Sequence, residues 1–283
     1  MKNLITFFIV TVHLAAADIV GTDLINGLVT SGIKNVPNPP TVELTGTLPG
    51  RRALCAGTAS AAFLFLKDGE GDPVAPSGTF FNRYLVANAT VVVVVHKQNP
   101  TSQLKLSELK GLFAKESRDV YLNWGDLSNG TLSEMAAPIV YAPSGAFIDE
   151  LFKGVVLEGN DYRQGVRQRL EWKTVTENIT ARFGVVAIMP SLPAGSPGRL
   201  MPIADGRPGR SQMAYPPNEV NIYNGDYPIR LPLYLYVRSD REKELRNTLV
   251  WILSDTFAEG LQKQGLSPAP KSIRSRLTQR LDR

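Results

Sequence analysis

Residues 91–100 read VVVVVHKQNP. Five successive β-branched side chains favour extended backbone. Side chains alternate between the two faces of a strand, so a run of valines leaves no polar face for water. The stretch therefore predicts a central strand covered on both sides, ended by Asn99-Pro100.

Outward from it, short apolar runs alternate with helical spacings, the pattern of an α/β protein. Upstream, a strand is expected to end at residues 18–21, followed by a helix through Leu24, Leu28 and Ile33. Pro37, Pro39 and Pro40 break it before a strand at 41–44. A second helix opens at Pro49-Gly50 and carries Arg51, Arg52, Leu54 and Cys55; AAFLFL at 61–66 reads as a buried strand, and 67–78 as a Gly/Pro/Asp loop. Downstream, a short helix runs from Ser107 to about Lys115, and Trp124 falls in a polar loop. A strand at 139–142 leads into a helix opened by Pro143-Ser144-Gly145, with Phe147, Leu151, Phe152 and Val155 on its apolar face. A long helix is expected over 162–182, a strand over 183–189, a long surface loop over 190–217 and a buried strand over 231–237. One helix is expected from 241 to about 264, with Leu245, Leu249, Ile252 and Leu253 inward, before a basic end at 271–283.

Lys2, the apolar run at 4–14 (LITFFIVTVHL) and Ala15-Ala16-Ala17 before Asp18 have the three parts of a secretory signal peptide cleaved after Ala17. The run is shorter than the about 20 residues of a membrane span. Residues 1–17 are thus expected to be removed, leaving a soluble periplasmic or secreted chain. That chain exceeds the usual size of one compact core and points to two lobes. The single cysteine, Cys55, excludes an intramolecular disulfide framework. The net charge of +5 is too small an excess to indicate nucleic acid, and no nucleic-acid motif is present. Beyond the leader, His96 is the one histidine, so no His-based triad can be assembled, and no His/Cys/carboxylate cluster has metal-ligand spacing. The expectation is a protein that is not an enzyme and has no catalytic residues, metal or cofactor.

Several segments in order resemble the phosphate-type periplasmic substrate-binding proteins of bacterial ABC transporters. VELTGTLPGRRALCAGTASAA (42–62) looks like that family's strand, small-residue loop and helix. LKLSELKGLFAKESRDVYLNWGDL (104–127) is similar to its short helix followed by a Trp-containing turn. PSGAFIDELFKGVVL (143–157) resembles its Ser-Gly helix start, and FGVVAIMP (183–190) the strand that follows. RLPLYLYVRSD (230–240) and LVWILSDTFAEGLQKQGLSPAP (249–270) resemble its return strand and closing helix. The resemblance implies a type II Venus-flytrap fold, each lobe an α/β sandwich, with two crossover strands as hinge. Lobe one would hold 18–90 plus 232–283, and lobe two 91–231. It also implies a monomeric receptor for inorganic phosphate or a similar tetrahedral oxyanion, working with an ABC permease.

A phosphate held without metal needs many donors, best supplied by free amides at helix starts. Three stretches qualify: Thr22, Asp23 and Leu24; the turn holding Thr47; and Ser144, Gly145 and Ala146. Ordinary capping explains the same residue types. Carried over from the resemblance, Thr47 falls on a serine and Ser144-Gly145 on a Ser-Gly pair. Ala146 stands where a threonine is usual, Val140 where an arginine is, and Leu24 where a hydroxyl residue is. The aspartate expected after the second helix has no counterpart in AAFLFLK. Arg51, Arg52 and Arg83 are candidates to compensate. The departures leave a second possibility: a secreted accessory or interaction protein that keeps the fold without high-affinity phosphate binding.

Overall fold

The computed structural model describes residues 17–67, 69–143, 147–168 and 170–281. The leader read in residues 1–17 thus lies, but for Ala17, outside the described residues. In chain order the elements are β1 (Ile19–Gly21), α1 (Asn26–Gly32), β2 (Val42–Glu43), α2 (Thr47–Cys55), β3 (Ala61–Phe65) and β4 (Phe81–Thr90). There follow β5 (Val92–His96), β6 (Leu104–Lys105), α3 (Leu106–Phe113), β7 (Ala137–Val140), α4 (Ile148–Val155), α5 (Trp172–Ala181) and β8 (Val185–Met189). Next come β9 (Gly198–Leu200), β10 (Ile203–Ala204), β11 (Ala214–Tyr215) and α6 (Glu219–Asn224). The chain closes with β12 (Arg230–Arg238), α7 (Arg246–Ile252), α8 (Asp255–Lys263), β13 (Leu266–Pro268) and α9 (Lys271–Leu281).

A six-stranded sheet has the order β13-β4-β12-β3-β1-β2, with β1, β2 and β3 parallel and β12 antiparallel to both β3 and β4. It draws only on strands before Val91 and after Ile229. Strands between those points form the other two sheets, β7-β8-β5-β9 and β11-β10-β6. The chain therefore crosses twice, at Thr90–Val91 and at Ile229–Arg230. The crossings touch: the Val91 amide donates to the Ile229 carbonyl at 3.1 Å. The wholly buried Tyr227 donates its hydroxyl to the Val91 carbonyl at 2.9 Å.

The valine strand is covered as expected. Val93 and Val95 pack into the cluster holding Phe113, Phe152 and Ile188. Val92 and Val94 face Ile139, Val175, Ile179 and Met189 on the other side of the sheet. Each fully buried valine contributes about 1.5–3 kcal/mol of transfer free energy, an upper figure because the unfolded chain is already partly compact. Trp124, expected in a polar loop, is instead fully buried, and its indole donates to the Gly184 carbonyl at 2.8 Å. It anchors the 3-10 turn Trp124–Asp126 against the start of β8.

Other expectations need correction. The ten-residue β4 carried no clean apolar run and is nevertheless paired on both sides, by β12 and β13. The helix expected over 162–182 exists only as α5. Before it the backbone turns at Gly165, whose φ of +92° no helix allows, and makes isolated bridges at Tyr162 and Arg167. Residues 190–217 are not a plain surface loop, because β9, β10 and β11 lie there and Met201 and Ile203 are buried. The helix expected over 241–264 is two. Ser254 caps α8 by accepting from the Phe257 amide at 3.2 Å. α2 starts two residues before Pro49. α4 starts at Ile148, leaving Phe147 at its cap and more than a third exposed rather than on the apolar face.

Candidate functional site

On the lobe-one side, β1 runs straight into Gly21 and Thr22. Gly21 has φ of +131°, and an added Cβ would strike the Phe63 backbone, so only glycine fits there. Thr22 is buried. Its amide donates to the Phe63 carbonyl at 2.9 Å, and its hydroxyl accepts from the Leu24 amide at 3.3 Å, capping the 3-10 turn Asp23–Ile25. Asp23 is exposed and Leu24 half-buried. The Gly46 amide donates to the Gly21 carbonyl at 2.7 Å, which fixes the start of α2 beside the end of β1. Gly50 then packs on that corner, where a Cβ would come within 2.5 Å of the Gly21 Cα. Thr47 is the first residue of α2 and half-buried. Its hydroxyl has no hydrogen-bond partner among the described residues. Two of the three stretches singled out from the sequence therefore meet at one corner.

On the lobe-two side, β7 ends at the buried Val140, and the Tyr141 amide donates to the Ile188 carbonyl at 2.9 Å. The chain passes Pro143 to Ser144, Gly145 and Ala146, which lie outside the described residues, and resumes at Phe147. Tyr141 meets Trp172, the first residue of α5, with ring centres 5.2 Å apart and planes inclined by 50°. Between the two sides lies a cavity of about 640 Å3. Leu24 lines it from lobe one, with the Gln262–Gly265 turn after α8. Tyr141, Pro143, Trp172 and the Pro190-Ser191 turn after β8 line it from lobe two. The cavity thus sits beyond the C-terminal ends of strands, where α/β proteins place ligands. Leu24 reaches the cavity, Thr22 lies behind it, and Thr47 is at the neighbouring corner rather than on the lining.

A second contact joins the lobes. Phe65, at the end of β3, stacks on Phe147 with ring centres 6.2 Å apart and 20° between planes. The region in which the resemblance expected a carboxylate therefore carries an aromatic ring. Two of the three arginines offered as compensation are engaged elsewhere. Arg51 pairs with Glu70 at 2.6 Å and donates to the Gly71 carbonyl. Arg83 pairs with Asp72 at 2.9 Å and lies 4.8 Å above the Tyr234 ring. Arg52 is exposed on α2. Asp72 also accepts from the Tyr236 hydroxyl, and this bond, followed by the Arg83 guanidinium, holds its carboxyl below the ordinary 3.8 despite some burial. These groups brace the loop after β3.

His96 sits at the end of β5, edge-on to Phe183, with Nδ1 accepting from the Gln98 amide. Of the basic C-terminal residues, Arg274 is buried. It donates to the Ala269 and Leu253 carbonyls and to Asp255, so it clamps α9 onto the end of α7. Among the described residues, no group of three or more His, Cys, Asp or Glu is placed to hold a metal ion, and no helix is long and apolar enough to cross a membrane. Tyr141 and Trp172 were missed as lining residues. Neither carried a signal: Tyr141 was absorbed into the strand expected over 139–142, which ends at Val140, and Trp172 into the long helix expected over 162–182.

A family model described as a PBP superfamily domain matches residues 30–256. The fold is similar to that of a possible phosphate binding protein from Planctomyces limnophilus, with TM-score 0.66 and 18% identity over 93% of this chain and 96% of that one. It is also similar to PstS from Borrelia burgdorferi, with TM-score 0.61 and 14% identity over 89% of this chain and 98% of that one. An ABC-type phosphate transport receptor from Vibrio cholerae gives TM-score 0.52 and 15% identity over 88% and 98% of the two chains. At these identities the likeness is one of fold. No curated protein sequence matches the chain.

Proposed function

Because the chain belongs to the PBP superfamily, we propose that it is a periplasmic solute receptor that closes its two lobes on a tetrahedral oxyanion, with phosphate the first to test. The observation that carries this reading is the cavity itself. It lies between the lobes, with the capped turn at Thr22–Leu24 on one wall and, on the other, the strand end leading into Ser144, Gly145 and Ala146. Thr47 stands at the corner beside the cavity, so closure would have to bring the free amides at the start of α2, with the Thr47 hydroxyl, and those leading into α4, with the Ser144 hydroxyl, onto the anion. Closure would pivot on the crossings at Thr90–Val91 and Ile229–Arg230, which supports a first boundary at 90/91 and moves the second from the expected 231/232 to 229/230. The leader at 1–17 would export the chain, which would act as a monomer and deliver its solute to an ABC permease. No catalytic step is assigned.

A second reading is supported by the same walls. Val140 in place of an arginine, the Phe65–Phe147 contact and the engagement of Arg51 and Arg83 favour an accessory protein that has lost high-affinity phosphate binding. Calorimetric titration with phosphate and sulfate separates the two. Saturable heat abolished by Thr47→Ala with Ser144→Ala supports the receptor. Absence of heat and of thermal stabilisation with every oxyanion supports the accessory reading.

A further inference from the structure

The walls of the interlobe cavity differ from what a bare inorganic anion needs. A desolvated divalent anion loses its hydration and must regain it from donors. Donors are present in Ser191 and in Gln262 and Gln264, but the lobe-two wall is largely Tyr141, Trp172 and prolines, and Leu24 faces them from lobe one. Among the described residues, the exposed Lys263 is the one cationic side chain on the lining. The rings of Tyr141 and Trp172 meet at an angle and are only half-buried, so part of their surface opens into the cavity without being covered by the chain's own core. Such rings supply apolar contact area at small conformational cost. At about 640 Å3 the open cleft falls within the roughly 300–1,000 Å3 of pockets for organic ligands, so it admits a ring-sized body before the lobes close.

We infer that the solute is an organic phosphate, a monoester whose ring-sized apolar body packs on Tyr141 and Trp172. This rests on the oxyanion-receptor reading above and deepens it. The ester body supplies by apolar burial part of what the missing guanidinium at position 140 would have supplied by charge. It also gives the receptor a basis for rejecting inorganic phosphate and sulfate, since neither covers the rings.

The test uses the full chain and three probes: inorganic phosphate, phenyl phosphate and phenol. Calorimetry is read beside intrinsic fluorescence. Trp124 is fully buried and Trp251 packs on Phe257, so a ligand-dependent change reports Trp172. Phenyl phosphate is expected to bind at least about tenfold more tightly than phosphate, with a fluorescence change. Trp172→Ala brings it down to the level of phosphate, while Trp172→Phe keeps most of the preference and loses the fluorescence signal. Equal affinity for the two anions, or a preference that survives Trp172→Ala, overturns the inference and leaves the receptor reading standing. Phenol binding as tightly as phenyl phosphate also overturns it, because the anion would then contribute nothing. Heat from neither anion overturns the receptor reading and this inference together.

Discussion

The two walls of the cleft are built from different material. On lobe one, Leu24 and the Gln262–Gly265 turn line the cleft, and the corner behind them is backbone: Gly21, Gly46 and Gly50 bring a strand end and a helix start into direct contact, and the Gly46 to Gly21 hydrogen bond locks them. On lobe two the wall is side chain: Tyr141, Trp172 and prolines at the ends of β7 and β8. The difference separates two questions. Where a ligand sits follows from topology, because strand ends and helix starts converge whatever side chains they carry. Which ligand sits there follows from the lining, and the lining is where this chain departs from the phosphate-binding pattern.

The contrast can be broken in order of expected effect. Trp124→Ala, at the far end of β8 from the lobe-two wall, should destabilise by about 3–5 kcal/mol through its cavity, leaving the Gly184 carbonyl without its partner. Chemical denaturation followed by circular dichroism checks this, and a loss below about 1 kcal/mol would show the indole is not a core anchor. Gly50→Val, at the backbone corner behind lobe one's wall, should cost about 1–3 kcal/mol, because the added carbons meet the backbone of Gly21, which cannot swing aside as a side chain would. Trp172→Ala, on the side-chain wall, should cost about 1 kcal/mol or less, since the ring is half-buried, and should alter ligand preference instead. If Gly50→Val were tolerated and Trp172→Ala unfolded the chain, the contrast would be reversed.

The smallest effect is a pH dependence at Asp72. Its folded-state pKa is depressed, so its stabilisation is complete above the ordinary carboxylate value and is lost as pH falls through the lowered one. Asp72→Asn should therefore be less stable than the parent at neutral pH and equal to it in strong acid. Denaturation midpoints at the two pH values decide it, and a gap that persisted in acid would place the effect outside the carboxylate's charge.

Much of this architecture could be read before any coordinates. Five valines in a row have no polar face, so burial on both sides was dictated, and the clusters around Val92–Val95 follow. Elements that escaped did so for physical reasons. β4 carries Asn82, Arg83 and Asn88, polar residues that break its apolar pattern. Each finds a partner only in the folded chain, with Glu242, Asp72 and Arg230. β9 to β11 are two or three residues long, too short to show a period, and are held by pairing, β9 with β5, β10 with β6 and β11 with β10. The split between α7 and α8 was visible in Ser254-Asp255, a capping pair overlooked inside a continuous apolar pattern. At the site, the stretches at Thr22–Leu24 and Thr47 were legible as helix starts, but their meeting at one corner comes from the Gly46 to Gly21 hydrogen bond. The Tyr141–Trp172 pair was not, because its members are 31 positions apart in the sequence and only the parallel β7–β8 pairing and the turn into α5 bring them together.

The most direct measurement is the distance between the lobes with and without solute. With Cys55→Ser removing the native thiol, spin labels at cysteines replacing the exposed Asn26 on α1 and Glu177 on α5 report it by pulsed electron resonance. The account predicts a distance distribution that shortens and narrows when phosphate or phenyl phosphate is added to saturation. A distribution unchanged by a solute that calorimetry shows to bind would contradict closure about the Val91–Ile229 crossing, and with it the receptor described here.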